Sequence, residues 1–176
     1  MFLLYWYRLT KIKKKLHLVF DIDHTLIRSK TVEQTQNLNI KVPDFVVLNY
    51  HIWTRPYYTI LNYLSKICHL HIYTAATYDY ADEILDYMYD DIFDKRLYRD
   101  SWEVNHSKNL RDILTYTEDI MLIDDQLYNN YRNQKFYHIK QYDINDRFDI
   151  ELLILFGHVL KIYIKKDIET IKKFLI

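Results

Sequence analysis

Glycine and proline are almost missing from this chain, one and two residues respectively in 176, and cysteine occurs once. A lone cysteine, Cys68, excludes an internal disulfide and fits a reducing compartment. It also fails as the nucleophile of a cysteine-based phosphatase, because the arginine that cradles phosphate six positions on in such enzymes is Thr74 here. Cys68 therefore reads as a small core residue. With so little glycine and proline, turns must fall on asparagine and aspartate, as at Asn129-Asn130 and Asn145-Asp146. An excess of either charge is missing too: 24 Lys and Arg against 24 Asp and Glu leave a net charge of +0. Nothing global then draws the chain to nucleic acid or to acidic membranes, and an acidic partner must be met locally. No stretch approaches the length needed to span a bilayer. The first residues, MFLLYWYRLTKIKKK, put aromatics before the basic run, the reverse of a secretory signal. Aromatics beside lysines suit a membrane surface as well as a domain edge. The expectation taken here is that residues 2–9 pack as an edge element.

What is present describes a folded globule. Hydrophobic residues make up 49% and charged ones 27%, without low-complexity segments or internal repeats, which argues against disorder. The length suits a single domain with a real core, residues 1–176, of which 1–15 form an N-terminal extension. An intracellular setting, cytoplasm or nucleus, follows from the cysteine usage. The abundance of Tyr, Ile, Lys and Asn is what an AT-rich genome imposes, including those of some large DNA viruses, and carries no chemistry.

The most informative stretch is residues 16–27, LHLVFDIDHTLI, an apolar strand-like run that delivers Asp21, Asp23 and then Thr25. Strand side chains alternate with period two, so the two acids leave the strand end on one side. Two close carboxylates repel unless a cation joins them or one keeps a proton. A magnesium-dependent phosphoryl-transfer site needs such a pair, one carboxylate as nucleophile and one as proton donor. A strand end followed by an Asp-capped polar turn would look the same. D-x-D-x-T taken alone leaves the two readings about level.

Further along, residues 28–44 are polar and read as loop, and FVVLNYHIW reads as a strand or hairpin arm ending at Trp53. Arg55-Pro56 opens a helix with Tyr57, Ile60, Leu61 and Leu64 on its buried stripe. LHIYT, residues 70–74, is a second buried strand ending in Thr74. Thr77 caps a helix through Met88, with Ala81, Ile84, Leu85 and Met88 inward. Residues 90–107 read as a charged connector, and Ser107 as the cap of a helix that begins at Lys108. IMLID, residues 120–124, is a third apolar strand, ending in Asp124 and Asp125. A short helix near 126–131, a strand FYHIK, a long helix over 150–164 and a last helix over 168–176, capped by Asp167, complete the chain. The sole glycine, Gly157, marks a kink or a close contact. Strands alternating with helices argue an α/β fold: a Rossmann-like, doubly wound and mainly parallel sheet, helices on both faces, and a small β insert. In such sheets ligands sit outside the carboxyl ends of the strands. The three best strands end in Asp21/Asp23, in Thr74 and in Asp124/Asp125, all on that edge.

Taken in order, DIDHT, YTAA, Lys108 and LIDDQ resemble the four motifs of the haloacid dehalogenase superfamily. TRPYYTIL, YTAATYDYADEILDYM and LYRDSW are similar to the branch of small C-terminal-domain phosphatases, the NLI-interacting-factor-like phosphatases. The likeness covers about residues 16–160. Motif four reads Asp-Asp-Gln where the small enzymes carry Asp-Asn-Ser-Pro; the larger polymerase phosphatases do have Asp-Asp. The resemblance implies Asp21 as nucleophile, giving an aspartyl phosphate, and Asp23 as acid and then base. It implies Mg2+ on Asp21, the backbone carbonyl of Asp23, and Asp125, with Asp124 behind them orienting Lys108 or a metal-bound water. Thr74 and Lys108 would meet the phosphoryl oxygens. Arg99, Thr25 and Tyr80 would contact the substrate. Thr31 and Thr77 stand where the polymerase phosphatases have Phe and Leu lining a groove. The motif order also sets the chain apart from response-regulator receivers, in which the acid pair comes first and the lysine last.

Between Asp23 and Thr74, and between Thr74 and Lys108, helices of the main fold leave no room for a large cap domain. An open site favours a phosphate carried on a macromolecule, a phosphoserine or phosphothreonine protein, over a small metabolite. Two other readings compete. One is a catalytically silent binding module of the same fold, like the presequence-translocase receptor relative, against which the intact acids argue. The other is a phosphatase of nucleic-acid ends or nucleotides, against which the neutral charge argues.

Overall fold

The computed structural model describes residues 16–36, 40–88, 91–99, 107–114, 119–130, 134–146 and 148–174, with side chains described as far as residue 166. The expected edge element at 2–9 and residues 100–102 of the LYRDSW segment lie outside the described residues. Five strands, β1 (His17–Phe20), β5 (His69–Tyr73), β6 (Phe93–Leu97), β7 (Ile120–Asp124) and β8 (Phe136–His138), form one parallel sheet in the order β6-β5-β1-β7-β8. β2 (Ile27–Thr31), β3 (Phe45–Val47) and β4 (Tyr50–Thr54) form a separate antiparallel sheet in the order β2-β4-β3. The helices are α1 (Val32–Thr35), α2 (Leu61–Leu64), α3 (Tyr78–Met88) and α4 (Glu151–Phe174). This is the α/β class expected, a parallel sheet with a small β insert.

Why these strands sit centrally follows from their sequence. β1, β5 and β7 are nearly continuous apolar runs, which suits strands covered on both faces. Leu18, Phe20, Leu70 and Ile72 enter the main core with Ala81, Ile84 and Leu85 of α3 and Leu152, Leu155 and Val159 of α4. Val19, Tyr73 and Leu122 point the other way into a smaller cluster closed by Leu110 and Ile113. The two faces are thus unequally covered: the long helices share one, and a 3-10 turn at Leu110–Asp112 sits against the other.

Four expectations change. The supposed loop 28–44 begins with β2, because polar residues of an antiparallel strand can keep one face in water. Residues 90–107 contain β6, whose FDKRL pattern is that of a solvated edge strand. The helix at Arg55-Pro56 is delayed by a turn in which Tyr57 takes φ 61°, followed by a 3-10 turn and the single turn of α2. The two C-terminal helices are one, α4, running through Asp167, and a side chain at Gly157 would meet nothing within 4 Å. In a chain with one glycine, the left-handed positions among the described residues fall to His24, Leu48 and Tyr57, each at a cost of about 1 to 2 kcal/mol.

Arg55 joins the insert to the rest. It is wholly buried, its Nε donating to Asp149 at 3.0 and 3.1 Å, its Nη1 to the Thr25 carbonyl at 2.6 Å and its Nη2 to the Lys140 carbonyl. Asp149 in turn accepts from the Glu151 N–H at the start of α4. One guanidinium therefore ties the turn after Asp23 to the long helix. Removing one partner leaves a buried unpaired charge, so Arg55→Met and Asp149→Asn are each expected to cost about 3 to 5 kcal/mol. The double variant should cost much less than their sum, as measured by urea unfolding.

The amino ends of β1 and β5 carry a histidine stack. His17 lies parallel to His69 and His71, with ring centroids 4.5 and 5.2 Å away, and its Nδ1 is 2.9 Å from Nε2 of buried His71. Asp94 and Lys95 of β6 and Asp119 lie nearby. Burial, and then the neighbouring His17, push His71 down to about 4. Because the unfolded chain protonates this group near its ordinary 6.5, its contribution to stability is intact above that pH and is lost progressively as pH falls toward 4. His71→Phe should flatten that part of the acid-stability curve, read as the midpoint of thermal unfolding between pH 7 and pH 4.

Candidate active site

Parallel pairing builds this site. β1 and β7 run in register with Phe20 opposite Ile123, and the Asp21 N–H donates to the Ile123 carbonyl at 3.0 Å. The next residues, Asp21 and Asp124, are therefore neighbours at the carboxyl edge, although the sequence separates them widely. Asp21, Asp124 and Asp125 are all buried, and each offers an oxygen within 4.8 Å of the other two.

Lys108 holds the pair together. Its side chain is wholly buried, with Nζ 2.6 Å from Asp21 Oδ1 and 2.6 Å from Asp124 Oδ2. No helix opens there. Lys108 forms a bridge to Asn130, Gln134 Nε2 donates to its carbonyl at 2.7 Å, and Asn109 caps the 3-10 turn that follows. The ammonium is oriented by the two carboxylates rather than set against a helix dipole. Burial lowers its affinity for a proton, the two aspartates overrule that, and the net shift is upward, so the lysine stays charged.

Asp124 is fixed by others: its Oδ1 accepts from the Gln126 N–H at 2.7 Å, and Asn129 Nδ2 reaches both carboxylate oxygens at 2.9 and 3.0 Å. Asp125 accepts from Gln126 Nε2 and, at 3.4 Å, from Thr25. Thr25 is fully buried. The structure therefore sets it behind Asp125 rather than at the substrate position expected for it. Asn129, which the sequence marks only as a turn residue, is the contributor that was missed. Its spacing five residues after Asp124 is the signal, and it becomes meaningful only once the chain between them is known to coil.

Asp23 stands over the cleft, half-buried, its Oδ1 accepting from Tyr80 at 2.9 Å and Ser29 at 3.1 Å. Thr74, buried just beyond β5, has its Oγ1 3.1 Å from the Ala76 N–H. Arg99 lies exposed at the rim with Nε donating to the Ala75 carbonyl at 2.6 Å. Asp21, Asp23, Thr74, Arg99, Lys108 and Asp125 thus line one open cleft of about 480 Å³. Thr31 is not part of it: its side chain caps α1 in a reciprocal pair with Gln34.

The charges do not balance without help. Burial, then the charge of Asp124 against the pull of Lys108, pushes Asp21 up to about 7. Burial also raises Asp125, with Asp124 adding to it, and raises Asp23 despite its two hydroxyl partners. Four carboxylates share one buried ammonium, and Asn129 Oδ1 is buried with no hydrogen-bond partner. An all-oxygen donor set with surplus negative charge fits a hard divalent cation such as Mg2+.

Comparison with known proteins agrees with this geometry. The family described as NLI interacting factor-like phosphatase matches residues 16–169. Nuclear envelope morphology protein 1 of Schizosaccharomyces pombe is 34% identical over 117 residues, 61% of this chain and 25% of that protein. Its namesake in Saccharomyces cerevisiae is 32% identical over 126 residues, 64% of this chain and 27% of the relative. The chain thus spans about a quarter of the length of these curated relatives. Among solved structures, Fcp1, described as an essential RNA polymerase II CTD phosphatase, superposes with a TM-score of 0.61 at 22% identity, over 83% of this chain and 46% of that one. A fission yeast Fcp1 variant bound to beryllium fluoride gives 0.60 at 22% identity, over 80% and 44%. At that identity the two structures speak for the fold alone.

If Asp21 and Asp125 help hold the ion, free Mg2+ at about 100 times its dissociation constant should stabilise the fold by about 2.7 kcal/mol. For a chain of this size that is a rise of about 5 to 10 °C in Tm. Asp125→Ala should lose most of that rise in a thermal melt with and without the ion; an equal rise in both proteins would assign the cation elsewhere.

Proposed function

We propose, because this chain belongs to the NLI interacting factor-like phosphatase family, that it hydrolyses phosphate monoesters on protein serine or threonine through an aspartyl-phosphate intermediate. The observation that carries the reading is the convergence of Asp21, Thr74, Lys108 and Asp125 on one cleft at the carboxyl edge of the parallel sheet. Asp21 is the nucleophile. As its carboxylate oxygen bonds to phosphorus, the bond to the leaving alkoxide breaks and Asp23 gives that oxygen its proton. Asp23, now a carboxylate, takes a proton from the water that reopens the aspartyl phosphate, which returns Asp21 and releases inorganic phosphate.

Asp21, Asp125 and the backbone carbonyl of Asp23 would hold Mg2+, which when bound supplies positive charge to the phosphoryl oxygens. Lys108 adds its own charge on the same side, and Asp124, pinned by Asn129 and Gln126, keeps the ammonium aimed. Thr74 would hydrogen-bond a nonbridging phosphoryl oxygen, and Arg99 at the rim would meet the phosphate or the peptide that carries it. Thr25 serves by holding Asp125.

An open cleft at the carboxyl edge of the main sheet supports a phosphoprotein over a metabolite, since among the described residues no large cap closes it. The apolar groove that would select a proline beside the phosphate is weakened by Thr77, which stands where the polymerase phosphatases have an apolar residue, while Thr31 is turned to capping α1. The two curated relatives carry the nuclear envelope in their names, which supports an intracellular site of action, cytoplasmic or nuclear. No helix among the described residues is long and apolar enough to cross a membrane. The chain acts as one phosphatase domain preceded by the 1–15 extension.

Hydrolysis of an aryl phosphate in the presence of Mg2+, abolished by Asp21→Asn, is the expected result. Asp23→Asn should reduce turnover of an alkyl phosphate by about 10² to 10⁴-fold with the circular dichroism spectrum unchanged. Phosphoseryl and phosphothreonyl peptides should be turned over faster than 5′-phosphorylated oligonucleotides. A preference for oligonucleotides would reverse the substrate assignment, and inertness toward every ester would leave a binding module.

A further inference from the structure

We infer that Ser29 and Tyr80 are positioning residues that decide which oxygen of Asp23 carries the catalytic proton, and that the three-stranded insert exists in part to hold them there. The inference deepens the reading of Asp23 as general acid and rests on it. Both hydroxyls donate to the same atom, Asp23 Oδ1, at 3.1 and 2.9 Å. Among the described residues none donates to Oδ2. A carboxylic acid has one oxygen that accepts and one that bears hydrogen. Two donors on Oδ1 make it the accepting oxygen, so the proton is left to Oδ2.

The fold supplies these hydroxyls from opposite sides. Ser29 stands in the middle of β2, paired to Ile52 of β4. Tyr80 comes from the first turn of α3, directly after the Thr74 loop, and its ring packs edge-on against Tyr50 of β4 at 5.2 Å. Between Asp23 and β2 the chain reverses at His24, which holds the left-handed φ of 63°, and Asp23 itself bridges to Ile27. The acid is thereby clamped between the insert and the helix that follows β5. Its position then does not depend on the substrate, which an open site without a cap requires, because nothing else closes to organise it.

Chemically, the step at issue is breakage of the P–O bond to the leaving group while the Asp21–P bond forms and the Oδ2 proton passes to the departing oxygen. An alkyl ester, whose alkoxide is a very strong base, needs that proton; an aryl ester with an acidic phenol barely does. A misoriented acid therefore penalises alkyl esters selectively, whereas general damage to the fold lowers both together. The ratio of kcat/KM for the two esters isolates this, because kcat/KM reports the step up to release of the leaving group.

The experiment compares phosphoserine peptide and p-nitrophenyl phosphate, with Mg2+, for the full chain and for Ser29→Ala, Ser29→Thr, Tyr80→Phe, Ser29→Ala/Tyr80→Phe and Asp23→Asn. Tyr80→Phe keeps the ring on Tyr50, and Ser29→Thr keeps a hydroxyl. The expected result is an alkyl-to-aryl ratio of kcat/KM lowered about 10-fold or more by Asp23→Asn, several-fold by each single removal of a hydroxyl, further by the double variant, and restored by Ser29→Thr. Should Asp23→Asn lower the ratio while Ser29→Ala and Tyr80→Phe leave it at the wild-type value, the positioning role is wrong and the acid assignment stands. Should Asp23→Asn itself leave the ratio unchanged, the acid assignment fails and the inference goes with it.

Discussion

Lys108 sits between two carboxylates that could not otherwise share the interior. Parallel pairing of β1 with β7 forces Asp21 and Asp124 side by side, and at such separations two charges in a poorly solvated site repel by several kcal/mol. The ammonium, 2.6 Å from each, makes the arrangement tolerable but leaves the surplus negative charge of Asp125 and Asp23 unmet. That residual imbalance is a property of the protein alone. It gives the cleft an acid-rich, all-oxygen lining that could hold a metal ion. The end of β1, the tip of β7 and the Lys108 bridge, far apart along the chain, are joined by this one cluster.

Around the cluster the protein relies on small devices rather than on a covering domain. Arg55 ties the turn after Asp23 to the start of α4. The insert and α3 clamp Asp23 from two sides. Asn129 and Gln126 restrain Asp124 from below. Each works by satisfying buried polar groups with directed partners, which stiffens a site more effectively than apolar packing does. The outcome is an open cleft with a rigid floor and a clamped acid. The proposal of a phosphoprotein substrate draws on that combination, since a closing lid would obstruct a large molecule.

The floor of the cleft was legible in the sequence and its supports were not. Apolar runs ending in acids at 21, 23, 124 and 125, and a hydroxyl at 74, declare themselves because buried parallel strands have a plain signature and ligands gather at their carboxyl ends. β6 hid in a charged segment because an edge strand keeps one side in water, and β2 hid for the same reason. Lys108 was read as the first residue of a helix, since Ser107 looks like a cap; the bridge to Asn130 that overrides the cap links residues distant in sequence. Gly157 suggested a break inside what is one helix, because a local preference of about 1 kcal/mol yields to the apolar face of Leu152, Leu155, Val159 and Tyr163 packed on the core.

By itself the amino-acid sequence determined the fold class, the order of the strands that carry chemistry, and the identity of the acids, hydroxyl and lysine on the cleft. The fold class, the acids and the hydroxyl depend on periodicity along the chain, which is local; the lysine entered only with the resemblance to an ordered set of family motifs. Tertiary structure alone decided that Thr25 lies behind Asp125, that Tyr80 and Ser29 meet on one oxygen of Asp23, and that Asn129 and Arg55 belong to the site's support. Such facts turn on which side chains face one another across a register and a packed interface, and the direction of a hydrogen bond between distant residues leaves no mark in either residue's neighbourhood.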